Sequence, residues 1–456
     1  MLQLGKSATR SRKLAIWSSL PPYLGGKRRL CPTIFREIDR IVPRRTWARL
    51  TFLDGFLGGG SVSLYAKAQG FAHVTACDIA ERGIVVGQAL IENSRVKLTR
   101  EDVLRLVAPD GSLPGRVEKE MVPAVFTRDQ ARFIDRAMCL AGETSDRAKA
   151  ALFRLMAIRV ALLAHPMSQV RAGTIHRLET GEYESITESC MYHYVDGLRL
   201  TRPKKLWEIA QAINAGVFAG NGSVLKESVL DALPRIHAHV AYFDPPYPGV
   251  MSYEKEYRFI DQILEGLSRP TSPFTAKDGA SLLDHPFQRA QHIPVWVLSL
   301  GNAVVGIDEL EAKMSRLGRE TRAIEIAYQH LPAVANEEKK ATNKEFLVVG
   351  WDPAIVDRLL AAVARDHSIG IQFGDNPTTL VEKDPHAIVP EPTPSKALLN
   401  NALEKGHADD THELGSLGRR ITRETGRRMD QPDPVTGKRR TAGDRVGRRT
   451  RNHDSE

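Results

Sequence analysis

The chain has 456 residues, 42% of them hydrophobic and 26% charged, with a formal charge of +9. That length accommodates one large domain, a smaller one and a tail around a sizeable core. The early apolar run around Leu14 to Trp17 is too short for a signal-peptide core and no later stretch reaches membrane-spanning length, so a soluble, cytoplasmic protein without a membrane partner is expected.

Cys31, Cys77, Cys139 and Cys190 lie far apart without a CxxC pair, which suggests neither a zinc site nor a disulfide framework. The charge is concentrated at one end. Residues Gly418 to Glu456 hold 12 Lys or Arg and 6 Asp or Glu, so +6 belongs to them and +3 to everything before. Net charge therefore argues only weakly for a polyanionic partner, and the motifs must decide.

In chain order, Leu50 to Leu53 is an apolar strand, Asp54 to Gly60 a glycine-rich turn and Ser61 to Gln69 a helix, followed by a second strand, Val74 to Asp78. This is the opening of an α/β nucleotide-binding unit. From about Val125 to His165 the pattern turns helical, ending in the Ala-rich run Ala148 to Leu163. Alternation then returns with a strand His239 to Phe243, a helix Tyr257 to Leu267, a strand Ile293 to Leu300 and a helix Ile307 to Leu317. Strands Ala323 to Tyr328 and Glu345 to Gly350 close it.

The expected organisation is a sheet domain split into residues 1–115 and 215–365 by a helical insertion at 116–214. Residues 366–456 follow as a tail that is first Pro-rich and then basic. The tail has too few apolar residues to offset chain entropy and is expected to be disordered. Arg419, Arg420, Arg427, Arg428, Lys438, Arg439, Arg440, Arg448 and Arg449 in it would meet DNA only through phosphates, or serve merely for solubility.

The most informative motif is Asp244-Pro245-Pro246-Tyr247, directly after the apolar strand Val240 to Phe243. Open α/β sheets bind ligands at the carboxyl ends of their strands, and two prolines there stiffen a turn and remove two backbone donors. The corner is rich in acceptors. An amino group on an aromatic ring has its lone pair delocalised, and donating its protons to a carboxylate and a carbonyl frees that pair to attack an electrophile. Asp244 and the carbonyl of Pro245 are suited to accept, and Tyr247 offers a face for a flipped base. As an isolated tetrapeptide it would also serve as a capped turn.

In the turn Asp54 to Gly60, glycines such as Gly58 and Gly60 allow close approach of a ligand, and Asp78 at the tip of the second strand suits a ribose's paired hydroxyls. The turn does not spell GxGxxG, so a dinucleotide is not the direct inference. Pro22-Tyr23-Leu24-Gly25-Gly26-Lys27 lacks the first Gly and the final Ser or Thr of a P-loop.

In this order, the three motifs resemble the Dam-like family of adenine-specific DNA methyltransferases, in the class whose cofactor motifs precede a target-recognition insertion and whose catalytic tetrapeptide follows it. Tyr23 to Lys27 is similar to the family's aromatic-x-Gly-Gly-Lys motif, Phe52 to Val62 to its cofactor loop, Asp78 to its ribose-binding acid and Asp244 to Tyr247 to its catalytic tetrapeptide. Val297 to Asn302 and Asn343 to Gly350 resemble its later strands, so the likeness spans about Pro21 to Asp352.

The resemblance implies a Rossmann-like sheet binding S-adenosylmethionine through Tyr23, Lys27, Asp54, Phe56, Gly58, Gly60, Asp78 and Asp244, a double-stranded DNA substrate with a flipped adenine, no metal and a monomer. Arg171, Arg177, Arg199, Arg202, Lys204 and Lys205 in the insertion are candidate DNA contacts, although charges on a helical face are commonly just solvated.

Two departures stand out. Asp54-Gly55-Phe56 replaces the family's usual acid-Pro-Phe, and Leu178 to Tyr183 stands where many relatives carry Arg-x-Gly-x-Phe-Asn, so the target sequence is not legible. Methyl transfer to another amine remains open: cytosine N4, RNA adenine or a glutamine amide, since the same corner could serve each. A silent DNA-binding module would not need Tyr23, Lys27, Asp78, Asp244 and Tyr247 together, and a nicotinamide-dependent oxidoreductase would need the missing fingerprint.

Overall fold

A computed structural model describes residues 16–108, 114–165, 177, 180, 196–248, 252–268, 272–276, 279–302, 305–327 and 344–365. The tail 366–456, Arg171 and nearly all of Leu178 to Tyr183 lie outside the described residues.

Seven strands form one sheet: β1 (Thr51–Asp54), β2 (His73–Asp78), β3 (Gly222–Lys226), β4 (Val240–Phe243), β5 (Val295–Gly301), β6 (Glu320–Ala327) and β7 (Lys344–Trp351), in the order β3-β2-β1-β4-β5-β7-β6. The first five run parallel, and β7 is antiparallel to both β5 and β6. This is the Rossmann-like α/β architecture expected from the strand and helix alternation.

Period-two alternation divides the core between the two faces of the sheet. Phe52, Val240, Tyr242, Val295 and Val297 pack on one side with Ile34, Phe35 and Ile38 from the helix Cys31–Ile41. Leu53, Ala241, Phe243, Trp296 and Leu298 pack on the other with Phe287 and Leu310. Burial on both faces explains why β4, and β5 apart from Ser299, read as apolar runs.

The two long helices between β2 and β3 are set by their caps. Thr127 and Gln130 form a reciprocal capping box at the start of Arg128–Glu143, and Asp146 accepts from the amides of Ala148 and Lys149 at the start of Arg147–Ala164.

Some boundaries differ from the sequence expectation. The helix expected over Tyr257 to Leu267 is Arg258–Glu265, ended by Gly266 at φ +73° and preceded by a separate short helix, Tyr253–Glu256. Strand β3 carries little sequence signal, because at the sheet's edge its residues are mostly half-buried. Strand β6 begins at Glu320, three residues earlier than its apolar run suggests.

Candidate active site

Register brings the acidic residues together. Asp54 ends β1 beside Tyr242 of β4, Asp78 ends β2, and Asp244 follows β4 directly, so all three lie at the carboxyl edge of the parallel strands. The chain's strand order reverses between β1 and β4, where open sheets form a ligand crevice. A cavity of about 430 Å³ lies there, lined by Tyr23 to Lys27, Asp54 to Gly59, Asp78, Arg82, Asp244, Pro246 and Tyr253. Its apolar wall includes Phe56, Val229, Leu230, Phe274 and Ile79, the last 44% exposed.

The glycine turn must be compact. Gly60 has φ +78°, and a Cβ there would lie 2.8 Å from Val86. Gly59 packs under Tyr23 so closely that a Cβ would come within 2.6 Å of the Tyr23 Cβ. Asp78 braces the turn, one oxygen accepting from the amide of Gly58 at 2.8 Å and the other from that of Ala80 at 2.8 Å. Asp54 accepts from the Ser63 hydroxyl at 2.7 Å and the Phe56 amide at 3.3 Å. Burial nevertheless outweighs those bonds and pushes its carboxyl up to about 6.

Tyr23 is held by an aromatic and ionic stack. Its ring stacks on Tyr257 with centroids 4.8 Å apart, and the Tyr257 hydroxyl accepts from the Leu24 amide at 2.8 Å. Arg82 lies over the other ring system, 5.0 Å from the Tyr257 centroid, with Nη1 donating to both Asp261 oxygens at 2.7 Å.

Lys27 is the hub of the corner at Asp244. Its side chain is 3% exposed, and Nζ reaches Asp244 Oδ1 at 2.8 Å, the Tyr247 hydroxyl at 2.9 Å, the Gly25 carbonyl at 3.0 Å and Glu345 Oε1 at 3.5 Å. Tyr247 donates its hydroxyl proton to Glu345, at 2.8 and 2.9 Å from the two oxygens, and Ser299 donates to Glu345 as well. Burial opposes the charge on Lys27, but the Asp244 and Glu345 carboxylates more than offset it and keep the ammonium firmly protonated. Burial raises the Asp244 carboxyl to about 7; Lys27 opposes this and Glu345 adds to it. Asp244 keeps 18% side-chain exposure.

The structure thus gathers Tyr23, Lys27, Asp54, Phe56, Gly58, Asp78, Asp244 and Pro246 around one cavity. Gly60 supports the turn from behind, and Pro245 is buried. Tyr247 sits behind the cavity, its ring 5.1 Å from the Lys27 ammonium. Arg199, Arg202, Lys204 and Lys205 are not among the lining residues; they cluster just before and at the start of the helix Pro203–Asn214, with Lys205 3.6 Å from Glu208. Arg177 is half-buried and is likewise not among the lining residues.

Sequence reading missed Glu345, Arg82, Asp261, Tyr253, Tyr257 and Phe274. Only Glu345 carried a signal, an acid at the start of an otherwise apolar strand.

Among the described residues, no cluster of three or more His, Cys, Asp or Glu could hold a metal ion, and no helix is long and apolar enough to cross a membrane.

Residues 23–110 match the D12 class N6 adenine-specific DNA methyltransferase family. The chain is also 26% identical over 344 residues to the type II methyltransferase M2.HphI of Haemophilus parahaemolyticus, covering 71% of this chain and 95% of that protein. No solved structure matches significantly.

Proposed function

We infer that this chain, which matches the D12 class of N6 adenine-specific DNA methyltransferases over residues 23–110, transfers a methyl group to the N6 amino group of an adenine flipped out of double-stranded DNA. The observation that carries the reading is the Asp244 carboxylate held 2.8 Å from Lys27 at the mouth of a cavity that the family's motifs line.

The residues present fit S-adenosylmethionine as the methyl donor. The cavity has the size of a small-molecule site, with an apolar wall of Phe56, Ile79, Val229 and Phe274 suited to a purine. Asp78 suits ribose hydroxyls, and the Asp54 and Asp244 carboxylates favour a ligand carrying positive charge. When bound, the cofactor supplies a methyl group made electrophilic by a sulfonium.

Asp244 accepts one N6 proton in a hydrogen bond, and the Pro245 carbonyl accepts the other, concentrating the nitrogen lone pair. Lys27 orients the Asp244 carboxylate and favours its charged form against burial. The proton that the amine sheds passes to Asp244 Oδ, whose raised affinity for protons suits that task near neutral pH. Tyr23 and Tyr253 wall the cavity with aromatic rings, limiting water around the reacting amine.

Within the helical insertion at 116–214, Arg177, Arg199, Arg202, Lys204 and Lys205 would supply phosphate or base contacts. The relative's type II name supports a restriction-modification setting.

The test is transfer of labelled methyl groups from S-adenosylmethionine to DNA by the purified chain, followed by identification and mapping of the modified base. N6-methyladenine at a fixed sequence is expected. Label in cytosine N4, in RNA or in protein alone would replace this reading with another amine.

A further inference from the structure

Glu345 is the one fully buried carboxylate of the catalytic corner that the mechanism above does not use; it has no exposed surface. Burying a charge is costly, and for stability alone an apolar residue of similar volume would serve as well or better. A second carboxylate beside Asp244 is worse still, because both draw on the same ammonium and repel one another.

The hydrogen bonds say what Glu345 does. An ammonium has three protons, and those of Lys27 have partners in Asp244 Oδ1, the Tyr247 hydroxyl and the Gly25 carbonyl. The Tyr247 oxygen can accept from Lys27 only if its own proton points elsewhere, and it points to Glu345. Ser299 donates to Glu345 from the neighbouring strand β5. Glu345 therefore fixes the direction of the Tyr247 hydroxyl and shares the charge of Lys27 with Asp244, at 3.5 Å against 2.8 Å.

We propose that Glu345 is a positioning residue for methyl transfer, which divides the Lys27 ammonium between two carboxylates and so sets how strongly Asp244 accepts protons from the target amine. The proposal rests on the methyltransferase reading above. The groups facing Asp244 are Lys27, Glu345, Asp54 of β1, Tyr242 of β4, Tyr247 and Tyr253. Among these, changing Glu345 removes a negative neighbour and the second carboxylate that shares the Lys27 ammonium with Asp244.

The experiment is the pH dependence of kcat for the full-length protein with S-adenosylmethionine and DNA carrying its mapped target. In Glu345→Gln the acidic limb should move down by about one pH unit. Its kcat near neutrality should fall about threefold to tenfold, because Asp244 becomes the weaker base, while both KM values stay within about twofold. In Ser299→Ala, Glu345 loses a donor and leans harder on Lys27 and Tyr247, so the limb should move the opposite way, up by about 0.3 pH unit.

Opposed shifts support the role. Unchanged limbs in both variants, or shifts in the same direction accompanied only by a lower Tm, would overturn it. If Glu345→Gln does not fold, an unchanged limb in Ser299→Ala overturns the proposal and an upward shift supports it. An unaltered protein that methylates no adenine would instead overturn the underlying reading as well, a result distinct from an active protein with insensitive variants.

Discussion

Lys27 Nζ lies 2.8 Å from Asp244 Oδ1, joining a loop ahead of the first strand to the turn after the fourth. With 3% and 18% exposure the two side chains are shielded enough for the pair to matter, yet Asp244 still faces the cavity. Asp244→Ala should therefore abolish methyl transfer, by about a hundredfold or more in kcat, while the protein stays folded. Near-normal turnover of the purified variant, with a native circular dichroism spectrum, would contradict the assignment.

The same pair sets a pH dependence. The Asp244 carboxyl is raised to about 7, chiefly by burial, and in the proposed mechanism it is the ionised form that accepts protons from the amine. Activity should thus fall as pH drops through about 7. Removing the cation raises the carboxyl further, so Lys27→Met should shift the acidic limb upward and cut kcat at neutral pH. A rate profile at saturating substrates measures both.

Asp54 should influence stability instead. Its carboxyl rises from 3.8 to about 6 on folding, mainly through burial. Between those values the folded state binds more protons than the unfolded one, so this contribution is fully present below about pH 4 and is lost as pH rises through about 6. Tm measured over pH 4 to 8 should show that decline in the wild type and a weaker one in Asp54→Asn.

Asp78→Ala should weaken S-adenosylmethionine binding more than DNA binding. It removes the proposed ribose partner and also the acceptor that holds the Gly58 and Ala80 amides at 2.8 Å. Calorimetry with cofactor and with DNA separates the two, and an unchanged cofactor Kd would leave Asp78 as a brace for the turn alone.

Gly59→Ala places a methyl group where the Tyr23 Cβ already stands, 2.6 Å away. Tyr23 must then move off the turn and out of its stack on Tyr257. The expected result is a folded protein with about tenfold weaker cofactor binding. Tight binding retained in a fluorescence titration would mean that Tyr23 is not part of the cofactor wall.

What the sequence determined by itself was four of the five parallel strands, β1, β2, β4 and β5, and their acidic edge. The apolar runs of β1, β4 and, apart from Ser299, β5 are continuous because both faces of the sheet are covered, and Asp54, Asp78 and Asp244 stand at strand ends, where polar residues interrupt those runs. The spacing of Tyr23 to Lys27, the glycine turn and the Asp-Pro-Pro-Tyr corner was equally legible, because each is a local chemical pattern.

Only the tertiary structure decided which of these residues touch. Strand β7 runs antiparallel to β5, pairing Glu345 with Gly301, and so brings the beginning of a late strand to the same edge as the ends of the parallel ones. That reversal buries Glu345 against Tyr247, Ser299 and Lys27. The Arg82 and Asp261 pair beneath Tyr257 likewise joins distant helices. A buried charge gives no periodic signal in the chain, because its stability depends on partners that only folding supplies.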